Sequence, residues 1–373
     1  DDVTLNTLIA EIPPSLATND MGYRLTQLCD IATTANFENN AKILYEKWLL
    51  RNVIFKSEQV RNVVNVKNSD ARSVLEQLQH EIENVLDMHI GNGFNIDTLL
   101  DETFEKMFDK DSLVKFGYPK LDELTGGMTR GEITVVAGRP GHFKSTTTLN
   151  IVRNLIHNGY KVLVMNREMS NVEMMKKLIV LESEHLSYEK IRMGVLNEKE
   201  TDMLEEAKQS IRKNYKNLVM YDNIFDIEGS MREIRKHSPD VVVDDYIGLV
   251  SVSGIEDNRI RIDNIMKQYK WSAKRNNMAV LLVSQLNREC ESRANKRPLL
   301  RDLRDSGSIE QDAEIILFMY YEWKYYMQES DMGEYGIEII LGKNSGSVKM
   351  GVAGDRCKIY SNSEEALTEV FNG

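Results

Sequence analysis

Cysteine is scarce: Cys29, Cys290 and Cys357 are scattered through 373 residues. They form neither a disulfide framework nor the clustered spacing of a zinc site, so free thiols in a reducing compartment are expected. Apolar runs long enough to span a bilayer are missing, and no signal peptide is visible in this sequence. There are no internal repeats and no low-complexity tracts. Positive charge is also in short supply, with 47 Lys and Arg against 58 Asp and Glu, a net charge of −11. That excludes a protein that coats nucleic acid with its whole surface, which is usually basic. Nucleic acid would have to be met by a local surface, such as a channel or a pair of loops. The chain opens on Asp1 without a methionine, and residues upstream are expected.

What is present is an ordinary folding composition, 42% hydrophobic and 28% charged. Residues 1–90 read as helical. "SVLEQLQHEIENVLDMH" sets Leu75, Leu78, Ile82, Val85 and Leu86 on one face, and "AKILYEKWLLRNVIF" carries a second stripe. Two such stripes predict a helical hairpin, since neither can bury its face alone. "GNGF" then breaks the pattern, and residues 91–114 read as a linker with a short amphipathic helix, "IDTLLDETFEKMF". Its apolar residues Ile96, Leu99, Leu100, Phe104 and Met107 would pack on their own domain or on a neighbouring subunit. From residue 115 to 373 the texture is α/β. The runs "ITVVA", "KVLVMN", "NLVMYD", "VVVDD", "AVLLVS", "EIILFMY" and "IEIILG" are nearly continuous in apolar residues, as strands buried on both faces are. Helical patterns between them, such as residues 259–276, predict a mainly parallel central sheet.

After "ITVVA" comes "GRPGHFKST", residues 138–146, one residue away from the phosphate-loop pattern G-x-x-x-x-G-K-[ST]. Gly138, Lys144 and Ser145 fit, while Phe143 stands where glycine is expected. The context is that of a phosphate loop, namely strand, glycine-containing turn, helix. The turn's backbone N–H groups and the helix N-terminus favour phosphate. Lys144 would reach the β- and γ-phosphates, and Ser145 would hold Mg²⁺. The nine residues Gly138, Arg139, Pro140, Gly141, His142, Phe143, Lys144, Ser145 and Thr146 would then line a nucleotide. A left-handed Phe143 would cost about 1 kcal/mol or more, with its bulky ring free to point outward. "VVVDDYIGLV" ends a strand in acids, where Asp245 or Asp244 would hold the Mg²⁺ water shell. Glu168, after "VMN", is a candidate to activate water, and Gln285, in "VSQLNRE", a candidate to sense the γ-phosphate. All four features end predicted strands, where open α/β sheets bind ligands.

In their order these motifs resemble the DnaB-type hexameric replicative helicases, whose motor is a RecA-like P-loop ATPase domain. "FGYPKLDELTGGMTRGEITVVAGRPG", "EMS", "KIRMGVLNEKE", "DDYIGLV" and "SQLNRECESRANKRPLLRDLRDSGSIEQDAE" are similar to successive family segments. "ANFENNAKILYEKWLLRNVI" resembles the end of the family's helical N-terminal domain. The resemblance spans residues 35–360 or so. It implies a homo-hexameric ring with ATP and Mg²⁺ between subunits, moving 5′ to 3′ on single-stranded DNA. It also implies a primase and a helicase loader as partners, no membrane, and a cytoplasmic location. Divergent motifs and a reduced N-terminal region point to a phage, and so to a host cytoplasm. The implied roles are Lys144 and Ser145 for phosphate and Mg²⁺, Glu168 as base, Asp245 as the second metal residue and Gln285 as sensor. "LRDSG" matches a DNA-facing loop, making Arg304, Asp305 and Gly307 candidate strand contacts.

Two departures from the family stand out. One is Phe143. The other is a late strand, "IILGKNSGSV", where the family carries a lysine and an arginine that reach the neighbour's ATP. Lys343 is present, but the arginine position falls on Asn344 or Ser345, leaving Lys343 alone or an arginine elsewhere, such as Arg356. An arginine finger can be worth ~10³-fold or more in rate, so slow hydrolysis is one expectation. Two other readings follow: a RecA-like recombinase or filament former, and a ring subunit that hydrolyses weakly. A fused primase is not expected, because no zinc-ligand cluster is present.

Overall fold

The computed structural model describes residues 44–61 in part, 96–107, 112–303 except 184, 307–343 and 346–372. The predicted helix around Leu75 to Leu86, the "GNGF" linker, Arg304, Asp305, Asn344 and Ser345 lie outside these. The chain divides into two compact units, Asp1–Asp101 and Glu102–Gly373. In the first, the described residues between 44 and 61 are helical. The predicted linker helix, α1 (Ile96–Met107), spans the boundary, and its Ile96, Leu99, Leu100 and Phe104 are exposed. Among the described residues no helix is long and apolar enough to cross a membrane.

The second unit opens with a small antiparallel pair, β1 (Leu113–Val114) and β2 (Met128–Thr129), around helix α2 (Pro119–Thr125). A nine-stranded sheet follows. Its first half alternates strand and helix: β3 (Ile133–Gly138), α3 (Lys144–His157), β4 (Val162–Asn166), then α4 (Asn171–Glu182), α5 (Tyr188–Met193) and α6 (Glu198–Asn214). Next come β5 (Leu218–Tyr221), α7 (Ile227–His237), β6 (Val241–Asp245), α8 (Asn258–Asn276), β7 (Ala279–Gln285), α9 (Gly307–Asp312) and β8 (Ala313–Tyr320). After α10 (Trp323–Tyr326) the chain adds β9 (Gly336–Leu341), β10 (Ser347–Ala353), β11 (Lys358–Tyr360) and α11 (Ser363–Asn372). The strand order is β11-β10-β9-β8-β3-β7-β6-β4-β5, parallel from β8 to β5 and antiparallel from β8 to β11. All seven apolar runs of the sequence are strands. β10 and β11 have no such run: β10 exposes Ser347 and Lys349, so it reads as alternating and half-polar.

Both faces of the sheet are covered, which is why its strands are apolar at successive positions. One face sets Val136, Val164, Val243 and Leu281 against Leu149, Val152 and Leu155 of α3. The other sets Val135, Leu163, Val242 and Leu282 against α7 and α8. The α8 stripe read from sequence, Ile262, Ile265, Met266, Tyr269 and Ala273, is wholly buried there. The antiparallel edge is tied to the phosphate-loop helix by buried Asn150. Its Nδ2 donates to the Cys357 carbonyl at 2.7 Å and its Oδ1 accepts from the Ile359 amide at 3.1 Å.

One polar group lies deep in the α7–α8 face. Side chains alternate along a strand, so the adjacent acids of β6 must face opposite ways. Asp244 turns with Val242 toward α8 and is fully buried. It accepts from Arg167 Nε and Nη2, each at 2.8 Å, and from the Tyr269 hydroxyl. Arg167 also donates to Ser230 Oγ at 2.8 Å and to the Ile224 carbonyl. Burial works against the Arg167 charge, but the paired carboxylate more than offsets it and the guanidinium stays protonated. Removing one partner of such a pair leaves an uncompensated buried charge. Asp244→Ala is therefore expected to cost about 3–5 kcal/mol in denaturant unfolding. Arg167→Leu combined with Asp244→Val should lose far less; a double variant no more stable than Asp244→Ala would refute this account of the pair.

Candidate functional site

Strands β3, β7, β6 and β4 are four consecutive parallel neighbours, so their carboxyl ends share one edge of the sheet. Gly138 is in register with Gln285, and Asn166 with Asp245. Pairing continues one residue further, because the Arg167 amide donates to the Asp245 carbonyl at 2.8 Å. Glu168, the next residue, is exposed beside that edge. The structure thus brings together Lys144, Ser145, Glu168, Asp245 and Gln285.

The phosphate loop leaves β3 at Gly138, where a Cβ would lie 3.1 Å from Met319 and 3.2 Å from Lys144 Cγ. Gly141 has a φ of 76°, which glycine adopts without steric cost. Phe143 is left-handed, with φ 57° and ψ 25°, so the strain anticipated from sequence is real. The outward ring is not. Phe143 is half-buried and packs on the α3 face of the core. Its ring meets Tyr321 edge-on at 4.9 Å and 82°. Gly354 makes room for it, since a Cβ there would approach Phe143 Cε1 to 3.1 Å. Edge-on ring contact and burial offset the backbone strain.

Lys144 opens α3, and its Nζ donates to the Arg139 carbonyl at 3.2 Å. Burial lowers its proton affinity, while the carboxylates of Asp245 and Glu168 act in the opposite direction. Asp245 faces the α3 side and is almost fully buried. Its pKa is pushed up from 3.8 to about 6, by burial first; a hydrogen bond from Ser145 works against the rise and the nearby Glu168 adds to it. Asp245 Oδ1 is buried with no protein partner. An unpaired carboxylate oxygen beside a serine hydroxyl fits a divalent cation. Among the described residues no cluster of three or more His, Cys, Asp or Glu could cage a metal. A cation here would take its remaining oxygens from phosphate and water, as Mg²⁺ usually does.

Two loop side chains are held by protein. Arg139 donates through Nη1 to the Leu286 carbonyl at 2.9 Å and through Nη2 to Glu291 at 3.1 Å. His142 is buried. Its Nδ1 lies 3.1 Å from the Tyr321 amide, which donates to it, and 3.2 Å from the Met319 carbonyl. Burial, then the charge of Lys324, lowers its pKa to about 4, so it is neutral at pH 7. Arg139 and His142 therefore shape the loop with their side chains and leave its backbone to face a ligand.

Lys343, exposed, follows β9 and does not join this site. β9 runs antiparallel to β8, and Gly342 bonds back to the Ile316 carbonyl. That places Lys343 toward the amino edge of the sheet, where its charge acts on Lys270. Gly307 opens α9, which feeds the start of β8. Arg356 lies in the β10–β11 turn. Sequence reasoning missed the Arg167–Asp244 pair and Lys324. A signal for the first existed, because doubled acids on a strand cannot both face one site.

The pKa of Asp245 has a stability consequence. Between pH 4 and 6 the folded chain holds this proton more tightly than the unfolded chain, so stability falls as pH rises through that window. Above pH 6 the full penalty applies, at most ~3 kcal/mol at 1.4 kcal/mol per pKa unit. Asp245→Asn should raise the nucleotide-free thermal midpoint at pH 8, and the gain should vanish near pH 4; a gain independent of pH would contradict this origin. Phe143→Gly removes the strain but also the ring contact, worth ~0.5–1.5 kcal/mol, and loosens the unfolded chain. A net loss of about 1 kcal/mol is expected in thermal unfolding, with nucleotide binding retained. A stabilised variant would show that relief of the left-handed strain outweighs the ring contact.

A family model for the DnaB-like helicase C terminal domain matches residues 114–353. The chain is 29% identical over 359 residues to the replicative DNA helicase DnaB of Geobacillus stearothermophilus, covering 92% of this chain and 78% of that protein. A solved structure described as an ATPase domain is 28% identical, with a TM-score of 0.66, covering 72% of this chain and 99% of that one. Another, of a DnaB-like replicative helicase and its interactions with primase, is 25% identical with a TM-score of 0.72, covering 96% and 87%. With the RecA-like arrangement of strands and phosphate loop described above, these matches establish that the chain belongs to the DnaB-like helicases, ATP-hydrolysing replicative DNA helicases.

Proposed function

We propose that this chain is the motor of a hexameric ring that draws single-stranded DNA through itself, 5′ to 3′, and unwinds duplex at a replication fork. The observation that carries the reading is the convergence of Lys144, Ser145, Glu168, Asp245 and Gln285 on one sheet edge, from the ends of β4, β6 and β7 and the start of the helix that follows their neighbour β3. Gly138 to Thr146 cradle the phosphates of ATP through backbone N–H groups. Lys144 neutralises the β- and γ-phosphates. Ser145 and Asp245 hold Mg²⁺, which supplies charge neutralisation where the phosphate bond breaks. Glu168 takes the proton of the attacking water, and Gln285 responds to the γ-phosphate. Lys343 acts on the ATP of a neighbouring copy, and Arg304, Asp305 and Gly307 meet the DNA strand.

The proposed organisation is a helical N-terminal domain over residues 1–90, a linker over 91–114 and the motor over 115–373. The exposed apolar face of α1 supports docking of the linker helix on the next subunit. A structural relative named for its interactions with primase supports a primase as partner; a loader is proposed with it, and a cytoplasmic site of action. The absence of an arginine from "IILGKNSGSV" favours one second reading, a ring subunit that hydrolyses weakly.

ATP hydrolysis with and without single-stranded DNA, beside Lys144→Ala, tests both. Strong stimulation by DNA is expected, and the substitution should lower the rate ~10²–10³-fold, as loss of one preorganised charge contact does. ATP binding with negligible turnover in either condition would overturn the motor reading and leave the weakly hydrolysing subunit.

A further inference from the structure

The segment after β8 lies on the phosphate loop. The Tyr321 amide donates to His142, and the Tyr321 ring meets Phe143. The Tyr325 hydroxyl donates to Glu291 Oε1 at 3.0 Å, whose other oxygen holds Arg139. Between these two tyrosines stands Lys324, an exposed side chain whose Nζ donates to the Pro140 carbonyl. A Cβ on Gly141 would lie 3.0 Å from that Nζ. Two ammonium groups therefore rest on successive carbonyls of one loop, Lys144 on Arg139 and Lys324 on Pro140.

Like charges so placed repel, and the Lys324 charge adds to the burial that lowers the proton affinity of Lys144. Glu291, on which the Lys324 charge acts, is already engaged by Arg139 and Tyr325, and the carboxylates of Asp245 and Glu168 act on Lys144. An ammonium has three N–H donors, and Pro140 uses one. The four-carbon stem lets the head move toward a ligand while the helix stays tethered through Tyr325. Tyr321 and Tyr325 already fasten the segment, so a charged group at 324 is not needed as a tether.

We propose that Lys324 is a second phosphate-binding lysine of this site, reaching in cis the terminal phosphate that Lys144 reaches. It would supply, from within the subunit, positive charge of the kind that the missing late-strand arginine would bring from a neighbour. The inference rests on the nucleotide reading of the loop.

Lys324→Met, Lys324→Gln and Lys324→Arg test it, with equilibrium binding of Mg·ADP and of a non-hydrolysable Mg·ATP analogue, and with kcat and KM for ATP. Loss of one charge-assisted contact predicts about 10- to 100-fold weaker binding of the ATP analogue to the Met and Gln variants. ADP binding should stay within about 2-fold, Arg should restore most of the loss, and the nucleotide-free thermal midpoint should not move. Equal weakening for ADP and the ATP analogue, or a lowered midpoint with no rescue by Arg, would make Lys324 a tether and overturn the proposal. So would unchanged binding and kinetics in all three variants. Failure of the wild-type chain to bind either nucleotide would instead remove the nucleotide reading itself, and this inference with it.

Discussion

Parallel pairing carries the chemistry of this chain. A parallel strand leaves its carboxyl end on the same edge as its neighbours, and β3, β7, β6 and β4 do so consecutively. Residues distant in sequence, Lys144, Glu168, Asp245 and Gln285, are gathered by backbone hydrogen bonds rather than by contacts among themselves. The pairing extends to the last useful residue, where the Arg167 amide holds the Asp245 carbonyl. Glu168 is thus set by the residue before it, which is fixed twice: by its amide to β6 and by its guanidinium to Asp244. Each opposes displacement of the β4 end relative to the β6 end.

The same arrangement loads the site with unfavourable terms. Asp245 is buried with one oxygen unpaired, Lys144 is desolvated and Phe143 sits in a left-handed conformation. None of these favours the fold. The surrounding layers tolerate them because both faces of the sheet are packed with aliphatic side chains. The contrast between the two acids of β6 is instructive. Asp244 is satisfied by a guanidinium and a phenol and reports only on structure. Asp245, one residue on and facing the other way, keeps an unmet oxygen and a raised pKa, the signature of a group kept for a ligand.

Much of this was legible in the sequence. Seven apolar runs became seven strands, because a sheet covered on both faces demands apolar residues at every position. The α8 stripe followed from periodicity, and the strand-end positions of Glu168, Gln285 and the Asp244–Asp245 pair from where the apolar runs stop. Three features were not legible. β10 and β11 form the antiparallel edge, where exposed Ser347 and Lys349 alternate with buried residues and the apolar run breaks. The apolar run itself leaves Asp244 and Asp245 interchangeable: only the family resemblance implies Asp245, and the physical reason appears once strand alternation meets the layers. The inward ring of Phe143 depends on Tyr321 and Gly354, 178 and 211 residues further along the chain, and no local pattern encodes that contact.

The late-strand lysine tests the assembly argument most severely. Lys343 lies toward the amino edge of the sheet, whereas the phosphate loop leaves from the carboxyl edge. The two edges are separated by most of the length of β8, so Lys343 does not serve the phosphate loop of its own chain. Within the proposed ring, a second copy stacked edge to edge would bring one subunit's amino-edge lysine to the next subunit's loop. Lys324 has the opposite logic. It arises just past the carboxyl end of β8, on the loop's own side, and needs no neighbour. The proposed assembly would then draw charge for one ATP from two sources, one present in every subunit and one supplied only when subunits meet. A site built this way would hold nucleotide in isolation and turn it over at full rate only in the ring.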